Sequence, residues 1–161
     1  MAEGRVEGIY IAAVESGPLH SADVVDVVAF QGIRGDRYFS EVGTHSHEEG
    51  GRALTLFEAE ALEGLQAEHG IELAPHEIRR NVMTRGISLN DLVGHRFRVG
   101  EVEGFGEERC DPCNHLQKLT KPGVLRGLVN RGGLRAQVTK GGTIAVGDSV
   151  EDLGPLETSV Q

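Results

Sequence analysis

Short apolar runs separated by glycines are the feature that most limits how this chain can fold. The 161 residues include 23 glycines, and valine dominates runs such as residues 24–28. β-Branched residues favour strands, and glycine suits the tight turns that join them. The pattern predicts a mainly β fold, a β-barrel with a few short helices. The clearest helix runs from Glu58 to His69, with Gly70 as its C-terminal stop.

The length of the chain fits one domain, because no repeat, low-complexity segment or linker divides it. We therefore predict a single domain over residues 1–161. No apolar run reaches the roughly 18 residues that a membrane span needs, and residues 1–6 do not resemble the start of a signal peptide. Two cysteines are too few for a secreted disulfide framework. These features predict a cytoplasmic protein that does not enter a membrane.

Charge is distributed unevenly along the chain. The net charge is −9, yet residues 76–135 hold eleven lysines or arginines against seven acidic residues. Arginine matches the geometry of phosphate and carboxylate oxygens, so this segment predicts a pocket for a small anionic cofactor or substrate. The alternative is that acidic residues simply coat the remaining surface, and charge alone does not decide between the two. A nucleic-acid surface is disfavoured, because such domains are usually basic overall.

The segment Cys110-Asp111-Pro112-Cys113 is the strongest candidate for a working site. Asp111 is a good N-cap and Pro112 fits the first helical position, which predicts Cys113 in the first turn of a short helix. The helix dipole there favours a thiolate, so Cys113 is the candidate nucleophile, persulfide carrier or soft metal ligand. Cys110 is expected to support it. Further positive charge is expected from Arg109, His115 and Lys118.

Two other uses of a C-x-x-C pair remain open. A zinc site usually needs a second cysteine pair or nearby histidines, and this chain offers only His115 and the loop that holds His45 and His47. A redox dithiol would follow a strand within a βαβ pattern, which the β-rich order disfavours.

Two further polar segments interrupt apolar ones. Gly35-Asp36-Arg37 follows a strand in a glycine-flanked loop, where it can present a guanidinium to an anion or form a structural ion pair. Arg79-Arg80-Asn81 lies inside a strand-like run from Ile78 to Thr84, where alternation would place Arg80 opposite its two neighbours. Polar side chains that point into a small barrel need partners, which predicts a ligand pocket, whereas exposed strand positions are the alternative. Asp148 is expected to order a turn.

Several weak motifs occur in one fixed order, and together they resemble the MOSC domain over roughly residues 5–152. This domain is found at the C-terminus of molybdenum cofactor sulfurases and as free-standing bacterial proteins. The matching segments are Gly32 to Arg37, Arg52, Leu54 to Leu62, Arg80-Asn81, Gly86-Ile87, Leu92 to Gly94, Phe97, Val99-Gly100, Pro112-Cys113, Gly133 to Val138 and Gly142 to Asp148.

The resemblance implies a MOSC-type β-barrel whose key residue is the cysteine of the Pro-Cys motif, here Cys113. In the family this cysteine carries sulfur as a persulfide or coordinates molybdenum, and some related proteins reduce N-hydroxylated compounds. The expected function is binding of the molybdenum cofactor through the Cys113 thiolate, with reduction of such compounds or transfer of sulfur. The residues expected to hold the cofactor or substrate are Asp36, Arg37, Arg52, Arg80, Asn81, Arg109, His115 and Lys118.

The sequence also departs from the larger relatives. It contains no pyridoxal-phosphate sulfurase domain, so a separate cysteine desulfurase or a reductase is expected as a partner. It lacks the additional N-terminal barrel of the reductases, and Tyr38 stands where many members have histidine. A persulfide carrier without turnover of its own is the alternative function, and a zinc-stabilised binding domain is the third.

Overall fold

Strands dominate the computed structural model, which describes residues 3–13, 18–36, 54–110, 123, 128 and 131–155. Within these ranges lie eleven strands, one α-helix and two 3₁₀ turns, Pro75–Ile78 and Leu89–Leu92. The elements are β1 (Glu3–Ile11), β2 (His20–Ser21), β3 (Val24–Val28), β4 (Gly32–Ile33), β5 (Leu54–Glu58), α1 (Ala59–His69), β6 (Val82–Arg85), β7 (His95–Val99), β8 (Val102–Arg109), β9 (Leu134–Lys140), β10 (Gly142–Ala145) and β11 (Ser149–Pro155).

Seven of the described strands close into a barrel, which confirms the predicted fold class. Their order is β11-β7-β8-β9-β5-β6-β1, and β1 pairs back to β11 through Gly4 and Val150. Strands β5 and β6 run parallel, a pairing that requires a crossover connection, and α1 lies in that connection. A second sheet, in the order β10-β3-β4, packs against the same core.

Two apolar clusters lie on opposite faces of the barrel wall. The interior cluster includes Leu54 and Leu56 of β5, whereas Phe57 belongs to a second cluster with Leu65 of α1 and Met83 of β6. Strand β5 is therefore buried on both faces, as its nearly continuous apolar sequence requires. The outer face of β5 and β6 consequently packs against α1 in a second apolar cluster.

The structure confirms two local predictions. The α1 helix ends at Gly70, which has a left-handed φ of 67°. The Gly70 N–H donates to the Gln66 carbonyl, and the Ile71 N–H donates to the Leu65 carbonyl. The Asp148 carboxylate accepts a 2.8 Å hydrogen bond from the Ala145 N–H and so orders the turn between β10 and β11. None of the helices in the described ranges is long and apolar enough to cross a membrane.

The predicted strand from Ile78 to Thr84 is wrong over its first four residues. Ile78 ends a 3₁₀ turn, Arg79 has a left-handed φ of 65°, and β6 begins only at Val82. Strand alternation therefore does not assign the faces of Arg79-Arg80-Asn81. The backbone of residues 78–81 turns before the chain enters β6. The pattern of apolar residues does not predict this turn.

Candidate functional site

The end of β8 meets the beginning of β9 and the segment that leads into β6. Cys110 directly follows β8, and its N–H donates a 2.8 Å hydrogen bond to the Gly133 carbonyl. In the same ladder Arg109 pairs with Leu134, and Glu108 pairs with Arg135. These backbone hydrogen bonds fix the position of Cys110 and place Arg135 beside it.

The Cys110 side chain is a free thiol that is only 1% exposed. Burial raises the pKa of this thiol above its ordinary value, while the guanidiniums of Arg80 and Arg135 act in the opposite direction and Arg135 hydrogen-bonds the sulfur. Because burial is the larger effect, Cys110 is a neutral thiol at neutral pH.

Two arginines act on this thiol, Arg135 in β9 and Arg80 in the segment before β6. The Nη1 atom of Arg135 lies 3.1 Å from the Glu108 carboxylate. The Nε–H of Arg80 donates a 3.2 Å hydrogen bond to the Gly132 carbonyl, and no carboxylate in the described part of the chain pairs with Arg80. We call Arg80, Glu108, Cys110 and Arg135 the arginine–cysteine cluster. With Cys110 neutral, its formal charge is +2 − 1 = +1.

Asn81 follows Arg80 directly, and its buried side chain hydrogen-bonds two other strands. Its Oδ1 accepts hydrogen bonds from the Thr55 N–H at 3.4 Å and the Thr55 hydroxyl at 3.1 Å, and its Nδ2 donates to the Tyr10 carbonyl at 3.0 Å. Thr55 is also the register partner of Arg135. Asn81 thus joins β1 and β5 to the start of β6, and its expected contact with a cofactor stays a prediction.

Asp36 also bonds the backbone. It is 6% exposed, and its Oδ1 accepts a 3.0 Å hydrogen bond from the Ala12 N–H. This contact ties the loop after β4 to the residue that follows β1. Asp36 therefore holds the shape of the loop that would carry Arg37.

The structure describes four of the predicted site residues. Arg80 and the exposed Arg109 lie where β8 ends, whereas Asn81 and Asp36 make the structural contacts given above. The other predicted site residues lie outside the described ranges: Cys113, Arg37, Arg52, His115 and Lys118.

Arg135 is the site residue that sequence reasoning missed. It lies within a motif that carried the family resemblance, between the buried residues Leu134 and Ala136. Strand alternation alone would have placed it on the opposite face from those two. Its proximity to Cys110 depends on the pairing of β8 with β9, which a single segment does not reveal.

No group of three or more His, Cys, Asp or Glu side chains that could hold a metal ion occurs among the residues the structure describes. The histidines considered for zinc, His45, His47 and His115, lie outside those residues. The zinc alternative therefore stays a prediction.

Solved structures with the same fold come from several bacteria. The YuaD protein of Bacillus subtilis matches with a TM-score of 0.78 and 21% identity, over 93% of this chain and 95% of that one. YiiM from Escherichia coli matches with a TM-score of 0.70 and 18% identity, over 98% of this chain and 72% of that one. YiiM from Geobacillus stearothermophilus matches with a TM-score of 0.67 and 15% identity, over 93% and 75%.

At these identities the likeness concerns the fold. A comparison with curated protein sequences found no significant match. The model of the MOSC domain family matches residues 42–151, well over half of the chain, and MOSC domains are generally associated with the molybdenum cofactor. The chain therefore belongs to the MOSC domain family.

Proposed function

We propose that this protein binds the molybdenum cofactor, with the Cys113 thiolate as the metal ligand and nearby arginines holding the anionic part of the cofactor. The observation that carries the proposal is the arginine–cysteine cluster. Among the residues the structure describes, it brings two guanidiniums and one carboxylate to the strand end from which the chain continues to Cys113. An excess positive charge on the segment that leads to Cys113 suits a ligand that is both anionic and thiophilic.

The covalent chain keeps Cys113 near this cluster. Consecutive Cα atoms are 3.8 Å apart, so three peptide units limit the Cα–Cα separation of Cys110 and Cys113 to about 11 Å. An arginine side chain spans a good part of that distance. The proposal requires a ligand held by Cys113 to lie close enough for Arg80 and Arg135 to contact it, and this chain length allows that.

The donor set fits the two ends of the cofactor. Guanidinium groups bind phosphate oxygens through paired hydrogen bonds, and thiolates are the soft ligands of the protein repertoire. Cys110 is the weaker ligand of the pair, because burial raises the pKa of its thiol and keeps it protonated. Bound molybdenum would supply the redox chemistry for reducing an N–O bond, or would accept sulfur from a persulfide.

Anaerobic reconstitution followed by metal analysis tests the proposal. Wild-type protein and Cys110→Ala are expected to retain molybdenum after desalting. The Cys113→Ala variant should retain at least tenfold less molybdenum than wild type. Cys110→Ala is the matched control, because it also removes one thiol from the same segment. If Cys113→Ala retains as much molybdenum as wild type, Cys113 is not the ligand.

A persulfide carrier is the second candidate, with a cysteine desulfurase as its partner. A persulfide on Cys113 persists only if no neighbouring thiolate attacks it, since thiolates are the attacking species in such exchange. The raised pKa of Cys110 keeps its thiol protonated and slow in this reaction. Incubation with a desulfurase and cysteine should add one sulfur atom to Cys113, measured by intact mass and peptide mapping. Absence of the adduct would exclude this function.

A further inference from the structure

The segment that carries Cys113, residues 111–131, leaves the barrel and returns to it at one place. The N–H of Cys110, directly before this segment, donates a 2.8 Å hydrogen bond to the carbonyl of Gly133. Beyond this bond the ladder of β8 and β9 begins. The backbone at these two residues therefore decides where the cysteine-bearing segment starts and where it ends.

Gly133 fits this position because it has no side chain. Its φ of 113° lies in the left-handed region, which glycine adopts without strain. A Cβ atom on this residue would collide with the Leu56 carbonyl oxygen of β5, so the backbone of β5 packs directly against it. The returning chain is thus fixed by β5 as well as by Cys110.

Arg80 holds the carbonyl that precedes this one. Its Nε–H donates a 3.2 Å hydrogen bond to the Gly132 carbonyl, across 52 positions of the sequence. The backbone next to Arg80 is itself held, because the N–H of Asn81 donates to the Thr55 carbonyl at 3.2 Å and to the Thr55 hydroxyl at 3.0 Å. Two consecutive carbonyls of the returning chain therefore each receive a hydrogen bond, the first from Arg80 and the second from Cys110.

We infer that Arg80 is a positioning residue, which holds the peptide unit between Gly132 and Gly133 so that Cys110 is fixed at the start of the cysteine-bearing segment. The Gly132 carbonyl belongs to that peptide unit, and the unit is planar. A hydrogen bond to its oxygen therefore orients the backbone on which Cys110 depends. The consequence for Cys113 rests on the proposed function, whereas the link from Arg80 to Cys110 does not.

This role differs from a contact with a bound anion, because it is present in the protein without any ligand. Replacing an arginine that only binds an anion would leave the Cys110 N–H as well protected as before. Replacing a positioning residue would loosen the bond between Cys110 and Gly133 even without cofactor. Measurements on the cofactor-free protein therefore separate the two roles of Arg80.

Amide hydrogen exchange of the full chain without cofactor is the test, because it reports the backbone hydrogen bond of Cys110 and not the ionisation of its thiol. Arg80→Met removes the donor and retains an apolar stem. We expect exchange at the Cys110 N–H to become about tenfold faster, since hydrogen bonds from charged groups are among the stronger ones. Exchange in β3, which belongs to the second sheet, should stay at the wild-type rate.

Arg98→Met is the matched control. Arg98 lies in β7 and donates a 2.7 Å hydrogen bond to Glu151 of β11, so this variant also removes a hydrogen-bonded arginine from the barrel wall. It should leave exchange at Cys110 at the wild-type rate.

The possible results separate this inference from the proposed function. Faster exchange at Cys110 but not in β3 supports the inference, even when metal analysis of Cys113→Ala shows that Cys113 is not the molybdenum ligand. Unchanged exchange at Cys110 in Arg80→Met overturns it, even when Cys113 is the ligand. An equal rise in β3, which would mean a loss of global stability, or an equal rise at Cys110 in Arg98→Met also overturns it.

Discussion

Asn81 shows how much a single buried side chain contributes to this fold. It is fully buried and bonds Thr55 and Tyr10 on two other strands. A buried polar group without a hydrogen-bond partner lowers the stability of the folded state by about 1–3 kcal/mol. Loss of Asn81 would therefore leave several buried groups without partners at once. Since Thr55 is also the register partner of Arg135, Asn81 fixes the part of the sheet on which the arginine–cysteine cluster is built.

Replacing Asn81 with alanine should therefore be costly. The variant leaves the Thr55 N–H and the Tyr10 carbonyl without their side-chain partner, and we expect the free energy of unfolding to fall by about 2–4 kcal/mol. Urea unfolding followed by circular dichroism measures the loss. The control is Gln66→Ala on the exposed side of α1, which should cost less than about 1 kcal/mol. Equal losses in both variants would contradict this role of Asn81.

At the residue scale, the sequence predicted which types of side chain form the site better than it predicted which side chains touch each other. The thiol pair and the basic segment were visible as residue types, and Asp148 was visible as a turn residue. The partnership of Cys110 with Arg135 was not, because it joins residues through a strand pairing. The left-handed backbone conformation of Arg79 could not be predicted from the sequence either, because arginine has no special preference for that conformation.

At the scale of elements, Glu101 and Thr143 help to link the barrel to the second sheet. Glu101 lies between β7 and β8, and its carboxylate accepts 3.0 Å hydrogen bonds from the N–H and the hydroxyl of Thr143 in β10. The Glu101 N–H donates in return to the Thr143 carbonyl. The bonds from the Thr143 N–H and hydroxyl hold the pKa of Glu101 below its ordinary value.

The sign of the resulting pH dependence follows from that lowered pKa. A carboxylate with a lower pKa in the folded state stabilises the protein above its unfolded pKa, and this contribution is lost as pH falls through the folded pKa. Glu101→Gln should therefore lower the Tm at pH 7, and the difference from wild type should shrink as the pH falls from about 5 to below 4. Thermal unfolding at several pH values measures it.

Glu68→Gln is the control for this experiment, because Glu68 is exposed near the end of α1 and lies 4.0 Å from Arg131. Its effect on the Tm should be small at every pH. If the Tm difference between wild type and Glu101→Gln is as large at pH 3 as at pH 7, the charge of Glu101 does not contribute to the link between the two sheets.

The elements were predicted unevenly, for physical reasons. The α1 helix was visible because Leu65 and Ala61 repeat at helical spacing and Gly70 ends it. The β-forming sequence from residue 143 to 150 is continuous, but the structure divides it between two strands, separated by the turn that Asp148 orders. A run of β-formers does not show where one sheet ends and the other begins, because that depends on which partner each half finds.

At the scale of the whole molecule, the barrel was predictable as a class but its closure was not. Glycine spacing and short apolar runs indicated strands and turns. The ring closes through β1 and β11, which are separated by most of the chain and meet through Gly4, Arg5 and Val150. Such pairing depends on contacts of high sequence separation, which no local pattern specifies.

Closure itself can be tested by removing β11. A chain that ends at Asp148 loses the fully buried Val150 and leaves the edges of β1 and β7 unpaired. Because unpaired edges pair with other chains, we expect loss of cooperative unfolding and association on size-exclusion chromatography. A chain that ends at Pro155 is the control, since it retains every described strand, and it should keep the wild-type Tm and elution volume. The chain that ends at Asp148 could instead remain monomeric and unfold cooperatively at the wild-type Tm. That result would show that the β1–β11 pairing does not stabilise the barrel.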